Sequence, residues 1–160
     1  MKIITNNFNQ TKKLGEALAK KIKSRKNDKA FVLGLSGDLG GGKTTFLQGF
    51  AKGLKIKQRI LSPTFLIMKK YKLNNSAIGQ LDNFYHIDCY RIQKSKEILS
   101  LGFKKIISDP KNIIAIEWAE RIEKILPKNT IWIKFEFIDE NKRKIQIQNQ
   151  ILKSSKYLLK

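Results

Sequence analysis

The chain has 160 residues, is 41% apolar, and carries 33 basic against 13 acidic side chains, a formal charge of +20. That length fits one ordinary domain able to bury about 70% of the surface its unfolded form exposes, and nine Phe, four Tyr and two Trp exclude a disordered chain. A lone cysteine, Cys89, excludes an internal disulfide framework or a cysteine-built metal centre, and no apolar run approaches the roughly 18 residues of a membrane span. The start, MKIITNNFNQTKK, has no secretion signal, so a reducing, cytoplasmic setting is expected.

The positive charge draws such a chain toward polyanions. Yet 28 of the 33 basic residues are Lys, the five Arg being Arg25, Arg59, Arg91, Arg121 and Arg143. A surface selected for phosphate or base recognition would favour the planar fork of Arg, so the excess reads as compositional drift with non-specific polyanion affinity.

In chain order, Thr11 is expected to cap a helix whose apolar face runs Leu14, Ala17, Leu18 and Ile22, ending near Asn27-Asp28. Ala30 to Leu35 reads as a buried strand, Gly37 to Gly42 as a loop, and Lys43 onward as a helix broken between Gly53 and Lys57. Ser62-Pro63 marks a turn before an extended strand from Thr64 to Leu73, broken at Asn74-Asn75-Ser76, with Leu81 to Tyr90 as its partner. Lys94 to Leu101 predicts a short helix closed by Gly102, and Asn112 to Glu117 a second buried strand. A helix from Trp118 to Leu126 and a terminal hairpin of Thr130 to Ile138 with Lys144 to Gln150 complete the chain.

Gly37-Asp38-Leu39-Gly40-Gly41-Gly42-Lys43-Thr44 satisfies G-x-x-x-x-G-K-[ST], between an expected strand and an expected helix. In that context the loop amides and the helix N-terminus hold the phosphates of ATP or GTP, Lys43 reaches the terminal phosphates and the Thr44 hydroxyl ligates Mg²⁺. A chance match arises about once in a hundred chains of this composition. The second carboxylate such a site needs is offered by Glu117, at the carboxyl end of a buried strand, unless it merely opens the next helix. Asp88 is either a base that orders water or a strand-end partner of Arg91 or a Lys. Thr64 either senses Mg²⁺ or the γ-phosphate, or simply follows a turn. Trp118 is core or a partner anchor, and His86, the only histidine, reads as structural because no nucleophile–base–acid set surrounds it.

These pieces, in order, resemble the TsaE family of tRNA threonylcarbamoyladenosine synthesis: LSGDLGGGKTT (Leu35 to Thr45), SPTF (Ser62 to Phe65), HIDCYRI (His86 to Ile92), EILSLGF (Glu97 to Phe103) and IEWAERIEKILP (Ile116 to Pro127). The resemblance implies an α/β fold, a single P-loop NTPase domain over residues 1–160 with a mixed, mainly parallel central sheet flanked by helices and a C-terminal hairpin. It implies nucleotide contacts from Gly40, Gly41, Gly42, Lys43, Thr44 and Thr45, Mg²⁺ ligands in Thr44 and Glu117, a need for Asp88 and Trp118, a role for Thr64, and Thr11 near the adenine. Gly41 stands where the family often has Ala or Ser, and Ala119 where Pro is common. The implied function is an ATPase that serves a larger assembly, docking on TsaD and its paralogue TsaB, with TsaC supplying the activated threonylcarbamoyl group and any contact with tRNA indirect. A small-molecule kinase is the rival reading, but it needs several Arg in a lid, and only Arg91 and Arg121 lie near expected site elements. A basic RNA-binding module is the third, marked by salt-dependent affinity that ATP does not alter.

Overall fold

The computed structural model describes residues 1–23, 28–74 and 81–148. Its seven strands form one sheet in the order β1-β7-β6-β2-β5-β4-β3, with β1 at Lys2–Thr5, β2 at Phe31–Gly37, β3 at Met68–Lys72, β4 at Asn83–Asp88, β5 at Asn112–Glu117, β6 at Ile131–Phe137 and β7 at Arg143–Gln148. The four central strands, β6, β2, β5 and β4, run parallel, while β7, β1 and β3 pair antiparallel at the edges. The expected mixed α/β sheet and the closing β6–β7 hairpin are both present, with the parallel ladder confined to the centre.

Alternation along β2 explains the layers. Phe31, Leu33 and Leu35 face the cluster built with helix α1 (Phe8–Lys23) and helix α2 (Lys43–Gly53), while Val32 faces a second cluster. That second cluster joins Ile98 of α3 (Ser95–Leu99), Phe103 of α4 (Phe103–Ser108) and Ile122 of a 3₁₀ segment (Ala119–Ile125). Covered on both faces, β2 and β5 are near-continuous apolar runs, as buried parallel strands are. No helix among the described residues is long and apolar enough to cross a membrane.

Helices α1 and α2 cross with backbones nearly touching. A Cβ at Gly49 would lie 1.9 Å from the Lys12 carbonyl oxygen, and one at Gly15 would lie 2.1 Å from that of Phe46. Only glycine permits that approach. It brings Thr11 against the start of α2.

Several boundaries differ from expectation. Helix α1 starts at Phe8, because the Asn7 side-chain oxygen accepts the Gln10 N–H at 2.9 Å and the Gln10 side chain accepts the Asn6 N–H at 2.8 Å. Thr11 therefore lies inside the helix, and its hydroxyl meets that of Thr5 at 2.8 Å. The expected end of this helix near Asn27 and the breaks at Asn75 and Ser76 fall outside the described residues, as do Gln150 and the residue before it at the end of the hairpin. The strand expected from Thr64 starts only at Met68, because Thr64 to Ile67 form turns and Ile67 has φ 63°. Helix α3 ends at Leu99 with Ser100 as its cap, short of the expected Leu101, and Gly102, at φ 78°, instead opens α4, which the sequence reading lacks. The segment after Trp118 is 3₁₀ rather than α.

Candidate functional site

The parallel strands β2, β5 and β4 end side by side, where an open α/β sheet places its ligand crevice. A cleft of about 480 Å³ lies there, lined by the glycine loop, Thr45, Ser62, Thr64, Asp88, Glu117 and Trp118. It thus gathers every candidate residue named from the sequence, Thr11 included.

The loop leaves β2 at Gly37 and enters α2 through Gly42, with positive φ at Gly37 (108°), Gly40 (72°) and Gly42 (97°). Gly41 has an ordinary φ, but a Cβ there would lie 2.9 Å from the Asp38 carbonyl oxygen and 3.2 Å from Phe135 Cβ, so this chain is crowded where a larger residue would stand. Asp38 pins the loop to β6: its N–H donates to Phe135 O at 3.1 Å, and its carboxylate accepts the Phe137 N–H at 3.0 Å.

Lys43 is buried, with Nζ donating to Gly37 O at 2.8 Å and Asp38 O at 2.7 Å. Its ammonium also sits 3.9 Å from the centroid of the Trp118 ring. Burial lowers its pKa, opposed by the carboxylates of Glu117, Glu120, Asp38 and Asp88. The ammonium is thus held by carbonyl dipoles and a π-face, partners that an anion entering the loop can replace.

Glu117 ends β5, and its two oxygens accept the Thr44 hydroxyl at 2.9 and 2.8 Å. His86 Nε2 lies 2.8 Å from Glu117 Oε1. Glu117 is 3% exposed, so it does not merely open the next helix on the surface. Asp88, opposite Glu117 in the β4–β5 register, accepts from the hydroxyls of Ser62 and Thr64 (Thr64 at 2.8 Å) and from the Tyr90 N–H at 2.8 Å. It makes no ion pair with Arg91 among the described residues, since Arg91 instead stacks on the Phe65 ring at 4.4 Å.

Trp118 is half-buried at φ 58° and packs against Tyr90, ring centroids 5.2 Å apart. Two non-glycine residues in the left-handed region, Ile67 and Trp118, therefore flank the two carboxylates. Such strain of about 1–3 kcal/mol per residue persists where surrounding structure enforces it.

Hard oxygen donors suit Mg²⁺, which takes one or two carboxylates and completes its shell with phosphate and water. Thr44 and Glu117 fit that demand, and no cluster of three or more His, Cys, Asp or Glu competes for a metal among the described residues. Cys89 is buried with its thiol pushed up to about 12, which leaves it inert.

The sequence reading missed the far wall. Phe8, Tyr90, Glu140, Asn141 and Arg143 also line the cleft, and Arg143 Nε donates to Gly40 O at 2.8 Å. Arg143, rather than Arg91 or Arg121, is the arginine at the site, and Arg121 instead donates to Ile92 O at 3.3 Å. No local signal marks Arg143, because 103 residues separate it from Gly40. Ser62 shared a dipeptide with Pro63 that reads as a turn, which hid its hydroxyl.

A family model described as threonylcarbamoyl adenosine biosynthesis protein TsaE matches residues 5–145. The chain is 38% identical, over 96% of its length and 82% of the relative's, to a Rickettsia felis protein named tRNA threonylcarbamoyladenosine biosynthesis protein TsaE. A Bacillus subtilis protein of the same name is 40% identical over 71% of this chain and 66% of its own. Among solved structures, the Bacillus subtilis protein YdiB superposes with a TM-score of 0.66 at 33% identity, covering 92% of this chain and 83% of that one.

Proposed function

The chain belongs to the TsaE family and so serves tRNA threonylcarbamoyladenosine biosynthesis, and we propose that its part there is Mg²⁺-dependent hydrolysis of ATP within an assembly with TsaB and TsaD. One observation carries this reading: the Thr44 hydroxyl and the Glu117 carboxylate converge at 2.8 Å beside a buried lysine, at the mouth of a glycine loop. That arrangement matches the donor set for a nucleotide's terminal phosphates and their cation.

On this reading the phosphates enter the loop against the N-terminus of α2, and Lys43 exchanges its two carbonyl partners for phosphate oxygens. Thr44 and Glu117 hold Mg²⁺, which when bound neutralises charge developing on the phosphoryl oxygens. Asp88 gathers Ser62 and Thr64 at the γ-phosphate end and orients the attacking water. Thr11, whose hydroxyl is turned to Thr5, offers its methyl group to the nucleoside end beside Phe8. The whole chain acts as one ATPase domain in the cytoplasm, and any contact it makes with tRNA is indirect. The transfer itself, from the activated group supplied by TsaC, belongs to its partners.

The test is ATP hydrolysis with Mg²⁺ by the purified chain, alone and with purified TsaB and TsaD. Hydrolysis that rises with the pair and is lost in Lys43→Ala supports the reading. Turnover that ignores the pair but needs a small-molecule acceptor replaces it with a kinase, and RNA affinity that ATP does not alter replaces it with an RNA-binding module.

A further inference from the structure

His86 is fully buried on β4, yet one of its ring nitrogens, Nδ1, has no hydrogen-bond partner among the described residues. The other, Nε2, lies 2.8 Å from Glu117 Oε1. A carboxylate that holds a cation only accepts, so on the metal-ligand reading of Glu117 it is Nε2 that donates. Packing alone does not account for this choice of side chain. The ring lies nearly parallel to that of Phe84, centroids 6.4 Å apart at 21°, and a phenylalanine would keep that contact without burying an unpaired nitrogen.

We propose that His86 is a positioning residue that fixes the Glu117 carboxylate for Mg²⁺, an inference that rests on the reading of Glu117 as a metal ligand. Glu117 has two side-chain donors of different kinds. Thr44 sits on the first turn of α2, which itself meets the phosphates, so its hydroxyl responds to what the loop holds. His86 stands in the sheet interior, between Lys69 of β3 and Ala115 of β5 in register, and does not itself line the cleft, which it reaches only through Glu117. It therefore holds Glu117 in the same orientation whether or not nucleotide is bound. A side chain that orients a metal-binding carboxylate from behind sets metal affinity without touching substrate.

The test titrates Mg²⁺ into the full chain with a non-hydrolysable ATP analogue and reads binding by calorimetry, for wild type, His86→Phe, His86→Gln, His86→Asn and Glu117→Gln. Gln places an N–H near the position of Nε2, Asn falls short of it, and Phe keeps the ring but has no donor. The half-saturating Mg²⁺ concentration is expected to rise by about 10- to 100-fold in His86→Phe and His86→Asn and to stay within about threefold of wild type in His86→Gln, with Mg²⁺-free nucleotide binding unchanged in these three His86 variants. A wild-type Mg²⁺ requirement in His86→Phe, or equal requirements in Gln and Asn, overturns the proposal. Should His86→Phe fail to fold, the Gln–Asn pair decides alone. Glu117→Gln separates the two readings: if it keeps the wild-type requirement, Glu117 is no ligand, whereas if it loses it and His86→Phe and His86→Asn do not, only the positioning role falls.

Discussion

Asp88 and Glu117 are register partners on adjacent parallel strands, both almost fully buried, yet their carboxylates are held by opposite kinds of structure. Glu117 is gripped by a helix and a strand, through Thr44 and His86. Asp88 is gripped by a loop, through Ser62 and Thr64, in a segment that carries the exposed Phe65 and Leu66. The difference teaches a division of labour: a carboxylate fixed by regular elements suits a cation that needs constant geometry, and one fixed by loop hydroxyls suits a part that changes with the nucleotide state.

The largest effect should come from removing what both halves serve. Lys43→Ala is expected to lower nucleotide affinity by about a hundredfold or more, read by calorimetry, because no other ammonium lies in the loop. Next, Glu117→Ala should cut turnover by about 10²- to 10³-fold, whereas Asp88→Asn should cost about 10- to 100-fold and leave nucleotide affinity near wild type. Equal losses in affinity would erase the distinction between the two carboxylates. Thr64→Ala should lower turnover by about tenfold or less, as measured by phosphate release, since Ser62 still donates to Asp88. The smallest effect belongs to Thr11→Val, which removes the hydrogen bond to Thr5 but keeps the methyl group facing the cleft. It should cost about 1 kcal/mol in a urea melt with nucleotide affinity unchanged.

The Glu117 half was legible in the sequence because its signals are local. A glycine pattern between a buried strand and a helix, and an acid at the end of an apolar run, follow from periods of 2 and 3.6 and from the motif itself. Where two local signals competed, the reading failed: Asn7 and Thr11 are both good caps, and Asn7 takes the role because its side-chain oxygen accepts the Gln10 N–H while the Gln10 side chain accepts the N–H of Asn6. β1, only four residues long, offered too short an alternation to distinguish from a tail. The turn before β3 was hidden because Ile67 adopts a backbone region that β-branched residues avoid. The Arg143 wall was invisible, since strand pairing rather than sequence proximity carries it to Gly40.

The most direct measurement is Mg²⁺-dependent ATP turnover by Glu117→Gln and Asp88→Asn, each with TsaB and TsaD present and Mg²⁺ varied. The expected result is a raised Mg²⁺ requirement in Glu117→Gln, and in Asp88→Asn a lower maximal rate at an unchanged Mg²⁺ requirement. The same Mg²⁺ requirement in Glu117→Gln as in wild type, or a raised one in Asp88→Asn alone, would contradict the assignment of the cation to the strand-held carboxylate.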